Sequence, residues 1–425
     1  MNEEVVDRSS ERSLPRLLRR FLGITAGLTL LCAAVELWCG RVLHLAYPYI
    51  WPLMPPEDPF WDFSLYHERF GYFHSRAFFT FAGPGYYYPA PMAVAHRVFF
   101  SFPYSTDVYL AFLSAAFVAG LFLVGRSLVG KGLALRSVVP FLAAVAACSY
   151  PFWFEFEQAN VEWIVCVLVV AGVWMFLRGR GYSAAACFGV AASMKIYPFL
   201  YAGLLVSRRQ YRQAAAAVGI CAMSTIVSLW LVCPDMAVSW RGMLDGLTGF
   251  KQSYILQFEQ VGFDHSLFAT FKAAWLLHSP VPLSMRTLAV MLGLYVPVIA
   301  FAGIILYFDR IRRLPIVNQV ICLSVLSILL PPVSYDYTLL HLYAPWVLLV
   351  FLAVEATHAR IAGLGGALVC FAILFAPETE FMHRQQSFGG QIKAVTLIAL
   401  LAIALRRRFP SAYDAGEALS PAQSA

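Results

Sequence analysis

The first group in this chain equipped for chemistry is a carboxylate set among aromatic rings. The segment Pro55-Pro56-Glu57-Asp58-Pro59-Phe60-Trp61-Asp62-Phe63-Ser64-Leu65-Tyr66 offers three acids. Glu57 and Asp58 lie in a proline-rich turn, where local hydrogen bonding readily explains an acid. Asp62 opens an Asp-Phe-x-x-Tyr element, and residues four apart share one face of a short helix, so Phe63 and Tyr66 can wall it. A carboxylate held there is a general base for a hydroxyl. An N-cap or a solvated loop charge is the plain alternative for Asp58 and Asp62 alike.

Other polar groups follow at intervals. Tyr86-Tyr87-Tyr88-Pro89 closes the same stretch, and Glu155-Phe156-Glu157-Gln158-Ala159-Asn160 ends a later apolar run. The amides of Gln158 and Asn160 can hold hydroxyls or phosphate oxygens, although capping and turn roles explain them equally well. Lys195-Ile196-Tyr197-Pro198 is more demanding. An ammonium inside an apolar segment costs roughly 2.5–3.5 kcal/mol on insertion scales and usually marks a ligand or ion path. A half-helix end carrying a lysine suits a phosphate at the membrane boundary, with snorkelling as the alternative. Asp264-His265-Ser266-Leu267 and Ser334-Tyr335-Asp336-Tyr337, with His341 a turn further on, complete the set. No His/Asp group has metal-ligand spacing, and the nine cysteines contain no CxxC, so they read as small apolar residues.

The elements that must position these groups are membrane helices. The 425 residues are 60% hydrophobic and 13% charged, with mean hydropathy +0.68, too little charge to cover a soluble protein of this size. Aromatic residues at 15% suit membrane interfaces, and also stacking on sugar rings or isoprenoid chains. A span needs about 20 apolar residues. The runs Phe21–Cys39, Val108–Val124, Val138–Phe152, Val161–Phe176, Ala214–Val232, Thr287–Tyr307, Ile316–Leu330, Leu339–Val354, Ile361–Phe375 and Ile392–Leu405 qualify as candidates. Phe21–Cys39 is too long for a signal peptide and reads as a retained first span. Residues 184–205 are bracketed by arginines on both sides, which predicts a re-entrant hairpin of two half-helices broken near Pro198. The expected fold is an all-α integral membrane protein, a polytopic bundle of about twelve helices with long external loops carrying short helices.

Charge sets the expected orientation. Most of the 31 Lys and Arg residues fall on short segments that alternate with the spans, and the Lys/Arg bias places those segments in the cytoplasm. The net charge of +7 is thereby explained without a nucleic-acid partner. Residues 1–20 form a basic cytoplasmic segment, 21–405 the membrane domain and 406–425 a cytoplasmic tail. The loops 46–107 and 234–286 lie outside, and more than half of the 24 acids fall on that face. Loops of that length are uncommon without a function.

Asp62-Phe63-x-x-Tyr66, Tyr88-Pro89, Gln158-x-Asn160, Lys195-x-Tyr197-Pro198 followed by an arginine pair, and Ser334-Tyr335-Asp336 occur in an order that resembles glycosyltransferase family 87. That family lies within the polytopic C-type glycosyltransferases that use polyprenyl-phosphate sugars, and its better-known members resemble mycobacterial phosphatidylinositol-mannoside mannosyltransferases. The resemblance implies that Asp62 deprotonates an acceptor hydroxyl, which displaces polyprenyl phosphate from the anomeric carbon with inversion. Lys195 would hold the donor phosphate, and Asp58, Tyr66, Tyr88, Gln158, Asn160, Tyr197, His265 and Asp336 would line the substrates. It implies no cofactor and no metal, with a lipid-linked sugar donor, a lipid or glycan acceptor and membrane lipids as partners. The expected location is the inner (plasma) membrane of a bacterium, with both termini cytoplasmic and the active site on the opposite face. Two positions depart from the family pattern. Tyr337 stands where members often carry histidine, for which His341 is the candidate catalytic replacement, and Glu157 stands where they often carry glycine. A transporter or flippase, or a lipid-linked polymer ligase, shares the membrane architecture. The former would show repeat symmetry and fewer loop carboxylates, and the latter an Arg/His-rich loop.

Overall fold

The computed structural model describes residues 12–42, 60–81, 85–258, 261–279, 281–356, 361–377, 381–383 and 386–415. Asp58 lies outside the described residues. The first helix is α1 (Arg16–Leu37), and the segment between it and the next long helix carries the short helices α2 (Trp61–Ser64), α3 (Ala77–Thr80) and α4 (Ala90–Phe100). There follow α5 (Ser105–Gly130), α6 (Leu135–Cys148), α7 (Tyr150–Gln158), α8 (Glu162–Leu177), α9 (Gly181–Met194), α10 (Ala202–Ser207) and α11 (Tyr211–Val232). The segment after α11 holds α12 (Met236–Phe250) and α13 (Leu267–His278). The chain then forms α14 (Met285–Asp309), α15 (Ile316–Leu329), α16 (Tyr343–Glu355), α17 (Leu364–Phe375) and α18 (Gly390–Arg406). A short antiparallel pair, β1 (Phe381–His383) with β2 (Gln386–Phe388), precedes α18.

Five described helical segments are long and apolar enough to cross a membrane, or six if the bent pair α6–α7 counts as one span. They make this a helical membrane protein. The count of about twelve is not reached on length. Helices α8, α15 and α17 have 16, 14 and 12 residues. At about 1.5 Å per residue they fall short of a hydrocarbon core about 30 Å thick. Every residue of α15 is buried, so this helix faces protein on all sides and its apolar run reflects the core rather than lipid.

Two local breaks matter for the site. The expected span Val138–Phe152 ends at Cys148, and α7 leaves it at 50°. Pro151, in the first turn of α7, supplies no backbone N–H to continue the α6 ladder and is tolerated only at such a start. The predicted hairpin does break, at Lys195, whose backbone is extended (φ −143°, ψ 134°), three residues before Pro198. A 3₁₀ turn, Tyr197–Tyr201, then leads into α10.

Helix α12 closes over the segment that carries α3. Asp235 caps it by accepting from the backbone N–H groups of Ala237 and Val238. Gly242, Gly246 and Gly249 face Phe79, the Tyr86 carbonyl and the Tyr87 ring, and a methyl on Gly246 would sit 2.0 Å from that carbonyl oxygen.

Candidate active site

Two left-handed residues set the first two functional side chains. Phe60 (φ 64°) precedes α2, and its N–H donates to the Glu157 carbonyl at 2.8 Å. Ala159 (φ 50°) ends α7 and turns the chain into Asn160. The left-handed conformation costs a non-glycine residue roughly 1–2 kcal/mol, and such strain persists where surrounding contacts over-determine it. Here it brings Asp62, in the first turn of α2, against Asn160. The Asn160 amide donates to Asp62 Oδ2 at 2.7 Å and to the Tyr88 hydroxyl at 3.2 Å. Asn160 Oδ1 accepts from the Glu162 N–H at 3.0 Å and faces Lys195 Nζ at 3.5 Å. One amide therefore joins a carboxylate to a cation. The Tyr109 hydroxyl fixes it by donating to the Asn160 carbonyl at 2.5 Å.

These groups border a cavity of about 350 Å³. Asp62, Tyr66, Tyr88, Gln158 and Asn160 line it, so the structure brings five of the residues singled out in the sequence to one wall system. Tyr87, Phe250, Tyr254, Tyr335 and Tyr337 make much of the rest. Burial pushes Asp62 above the usual carboxylate range, against the Asn160 hydrogen bond and the Lys195 charge, which both hold it down. A carboxylate so placed is a stronger proton acceptor than a free one once ionised.

Lys195 is not alone in its apolar segment. Its ammonium lies 2.5 Å from Glu162 Oε2 and faces the rings of Tyr337 (5.0 Å) and Tyr88 (5.6 Å). Glu162, at the first position of α8, is fully buried. It also accepts from the Tyr197 hydroxyl and lies 2.6 Å from His341 Nε2. The cost of an ammonium in this apolar segment is thus offset inside the protein, without snorkelling. Glu162 also sets the place of His341, whose imidazole is fully buried behind it and is not among the cavity-lining residues. Tyr197 likewise reaches the cavity only through Glu162.

His265 and Asp336 belong elsewhere. Asp336 opens the 3₁₀ turn Asp336–Leu342 and is fully buried. Its carboxylate accepts from the Tyr150 hydroxyl at 2.6 Å, with Lys393 Nζ at 3.3 Å and His265 Nε2 at 3.1 Å. Lys393 lies 3.9 Å over the Tyr150 ring. Burial pushes the His265 imidazole down to about 4, so it is neutral beside Asp336 at neutral pH. Neither residue lines the cavity, but Phe263, two positions before His265, does, as do the residues flanking Asp336. The His265 N–H donates to the Ser334 carbonyl at 2.8 Å, and Tyr335 and Tyr337, on either side of Asp336, are cavity walls.

Glu162, which pairs with Lys195, and the cavity-lining Glu157, Tyr254, Tyr335 and Tyr337 are among the residues to which sequence reasoning gave no role at the site. A carboxylate two positions after Asn160, at the head of an apolar run, was the available signal for Glu162. Among the described residues no group of three or more His, Cys, Asp or Glu side chains could hold a metal ion. A family model described as glycosyltransferase family 87 matches residues 86–332, a stretch that includes Tyr88, Asn160, Glu162 and Lys195 and leaves out Asp62, Asp336 and His341. No curated protein and no solved structure matches the chain.

Proposed function

The chain belongs to glycosyltransferase family 87, whose model covers more than half of its 425 residues, and from that premise we propose a polyprenyl-phosphate-dependent hexosyltransferase, with mannose as the sugar. The observation that carries this reading is the continuous Asp62–Asn160–Lys195 line, which joins a proton acceptor to a cation beside one cavity. Asp62 takes the proton of an acceptor hydroxyl as that oxygen attacks the anomeric carbon. The bond from that carbon to the phosphate oxygen breaks, and polyprenyl phosphate leaves from the opposite face, inverting the centre. The leaving group is already anionic and requires no general acid, unlike the leaving group in glycoside hydrolysis. Its growing charge requires a fixed cation, which Lys195 supplies at the helix break.

Glu162, Tyr197 and His341 act through Lys195 as positioning residues. The carboxylate holds the ammonium at the end of α9, and the phenol and imidazole hold the carboxylate. The donor's isoprenoid chain stays in the bilayer, the acceptor is a membrane lipid or a glycan, and the reaction takes place on the extracytoplasmic face of the inner membrane. The test is transfer from radiolabelled polyprenyl-phosphate hexoses into a membrane lipid extract by the purified full chain in nanodiscs. Asp62→Asn keeps the shape and the Asn160 contact but loses the proton acceptor. Its rate is expected to fall by about a hundredfold to ten-thousandfold. Transfer from nucleotide sugars alone, or an Asp62→Asn enzyme at full speed, sinks the proposal.

A further inference from the structure

Glu157 is the one cavity-lining carboxylate that the reaction above leaves unused. It sits in the last turn of α7, only 2% exposed. Its carbonyl accepts from the Phe60 N–H at 2.8 Å, which ties α7 to the segment carrying Asp62. One side-chain oxygen, Oε1, accepts from the Gln158 amide at 3.1 Å. The other, Oε2, is buried and has no hydrogen-bond partner among the described residues. A buried carboxylate oxygen without a donor is costly, so a group that brings one binds favourably there.

The surroundings define that group. The charged residues lining the cavity are Asp62 and Glu157, both acidic. The nearest cation, Lys195, stands behind Asn160 and is paired with Glu162. Both carboxyl groups can accept hydroxyls, while Tyr87, Tyr254 and Tyr335 offer ring faces of the kind that pack on a pyranose. We propose that Glu157 is a specificity residue, its Oε2 accepting a hydrogen bond from a second hydroxyl of a neutral pyranose ring in the acceptor, while Asp62 faces the hydroxyl that reacts. This deepens the proposed function and rests on its placing the acceptor at Asp62.

Binding without turnover tests the idea. The full chain in nanodiscs is titrated with octyl α-D-mannopyranoside and its monodeoxy analogues, read by intrinsic fluorescence, and separately with polyprenyl-phosphate mannose. The unmodified chain is expected to bind one deoxy analogue about tenfold more weakly than the parent, the loss of one buried hydrogen bond. Glu157→Ala is expected to bind the parent as weakly as that analogue, with donor affinity unchanged. Glu157→Gln, which keeps the volume and one acceptor oxygen, is read where the alanine chain fails to assemble, and it is expected to narrow the same difference. Three outcomes overturn the proposal: discrimination among the analogues that survives in the variants, a loss that falls on the donor, or no binding of any octyl mannoside. Because none of these readings needs transfer, failure of polyprenyl-phosphate hexoses as donors removes the proposed reaction and leaves the Glu157 subsite standing.

Discussion

Two buried carboxylates gather the same kinds of side chain around them. Glu162 holds Lys195, His341 and Tyr197, and Asp336 holds Lys393, His265 and Tyr150. The short turn Asp336–Leu342 contributes a member to each, Asp336 to one and His341 to the other. In both, a lysine neutralises an acid that burial would otherwise make expensive. They differ in access. The Lys195 side chain is 15% exposed and reaches Asn160 and two cavity tyrosines, whereas that of Lys393 is 2% exposed and packs on Tyr150. A quartet of Lys, His, Tyr and a carboxylate therefore describes how charge is balanced. Whether it serves chemistry or holds α18 against α7 depends on which group is left facing the cavity.

The largest effects should separate the two lysines. Lys195→Met is expected to lower transfer by about a hundredfold to a thousandfold, the loss of one fixed stabiliser of the leaving group. Lys393→Met is expected to cost about 3–5 kcal/mol of stability by leaving Asp336 uncompensated, measured as a lower thermal midpoint in nanodiscs. Asp336→Asn combined with Lys393→Met should recover part of that loss. If Lys393→Met instead abolished donor use at an unchanged midpoint, the distinction between the clusters would collapse.

The histidines give a smaller contrast. His341→Gln should reduce turnover by about tenfold with little change in acceptor KM, because it loosens Glu162 and through it Lys195. His265→Gln should leave kinetics alone and affect only the midpoint. Equal kinetic effects would mean that both clusters communicate with the cavity.

The smallest effect is a displacement along the pH axis. Asp62 must be ionised to accept a proton, and burial raises it, so activity should rise with pH through a limb above the usual carboxylate range. Asn160→Leu removes a hydrogen bond that favours the anion, which moves the limb to still higher pH. A limb that moved down, measured as kcat/KM against pH, would contradict the assignment of Asp62.

Much of the helix order was legible because an apolar run long enough to cross a membrane leaves few alternatives, and α5, α11 and α14 lie close to the runs that predicted them. The bend at Ser149 was not, since Pro151 falls inside an otherwise unbroken apolar stretch. At the site, Asp62, Tyr88, Gln158 and Asn160 could be singled out because they stand at the ends of segments, where polar side chains need a reason. Glu162 read as one more external acid. Its burial depends on Lys195 and on His341, 179 positions away, and hydropathy carries no record of pairing through space. The partner of Asp336 on α18, Lys393, is likewise invisible in the sequence, since only the packed bundle brings it beside Asp336 and His265.

Helix α12 can also be considered as a mechanical part. Gly242, Gly246 and Gly249 press it against Phe79, Tyr86 and Tyr87, while Trp240, Leu244 and Leu247 are exposed. Two positions along a helix turn it by about 200°, so these rows run along opposite sides. Side chains between two backbones normally act as a compressible layer, absorbing small shifts by changing rotamer. At Gly246 that layer is missing, and the helix bears on the Tyr86 carbonyl with no slack. The exposed row and the tyrosines thus stand on opposite sides of one helix with no side-chain cushion at Gly246, and of those tyrosines Tyr87 lines the cavity.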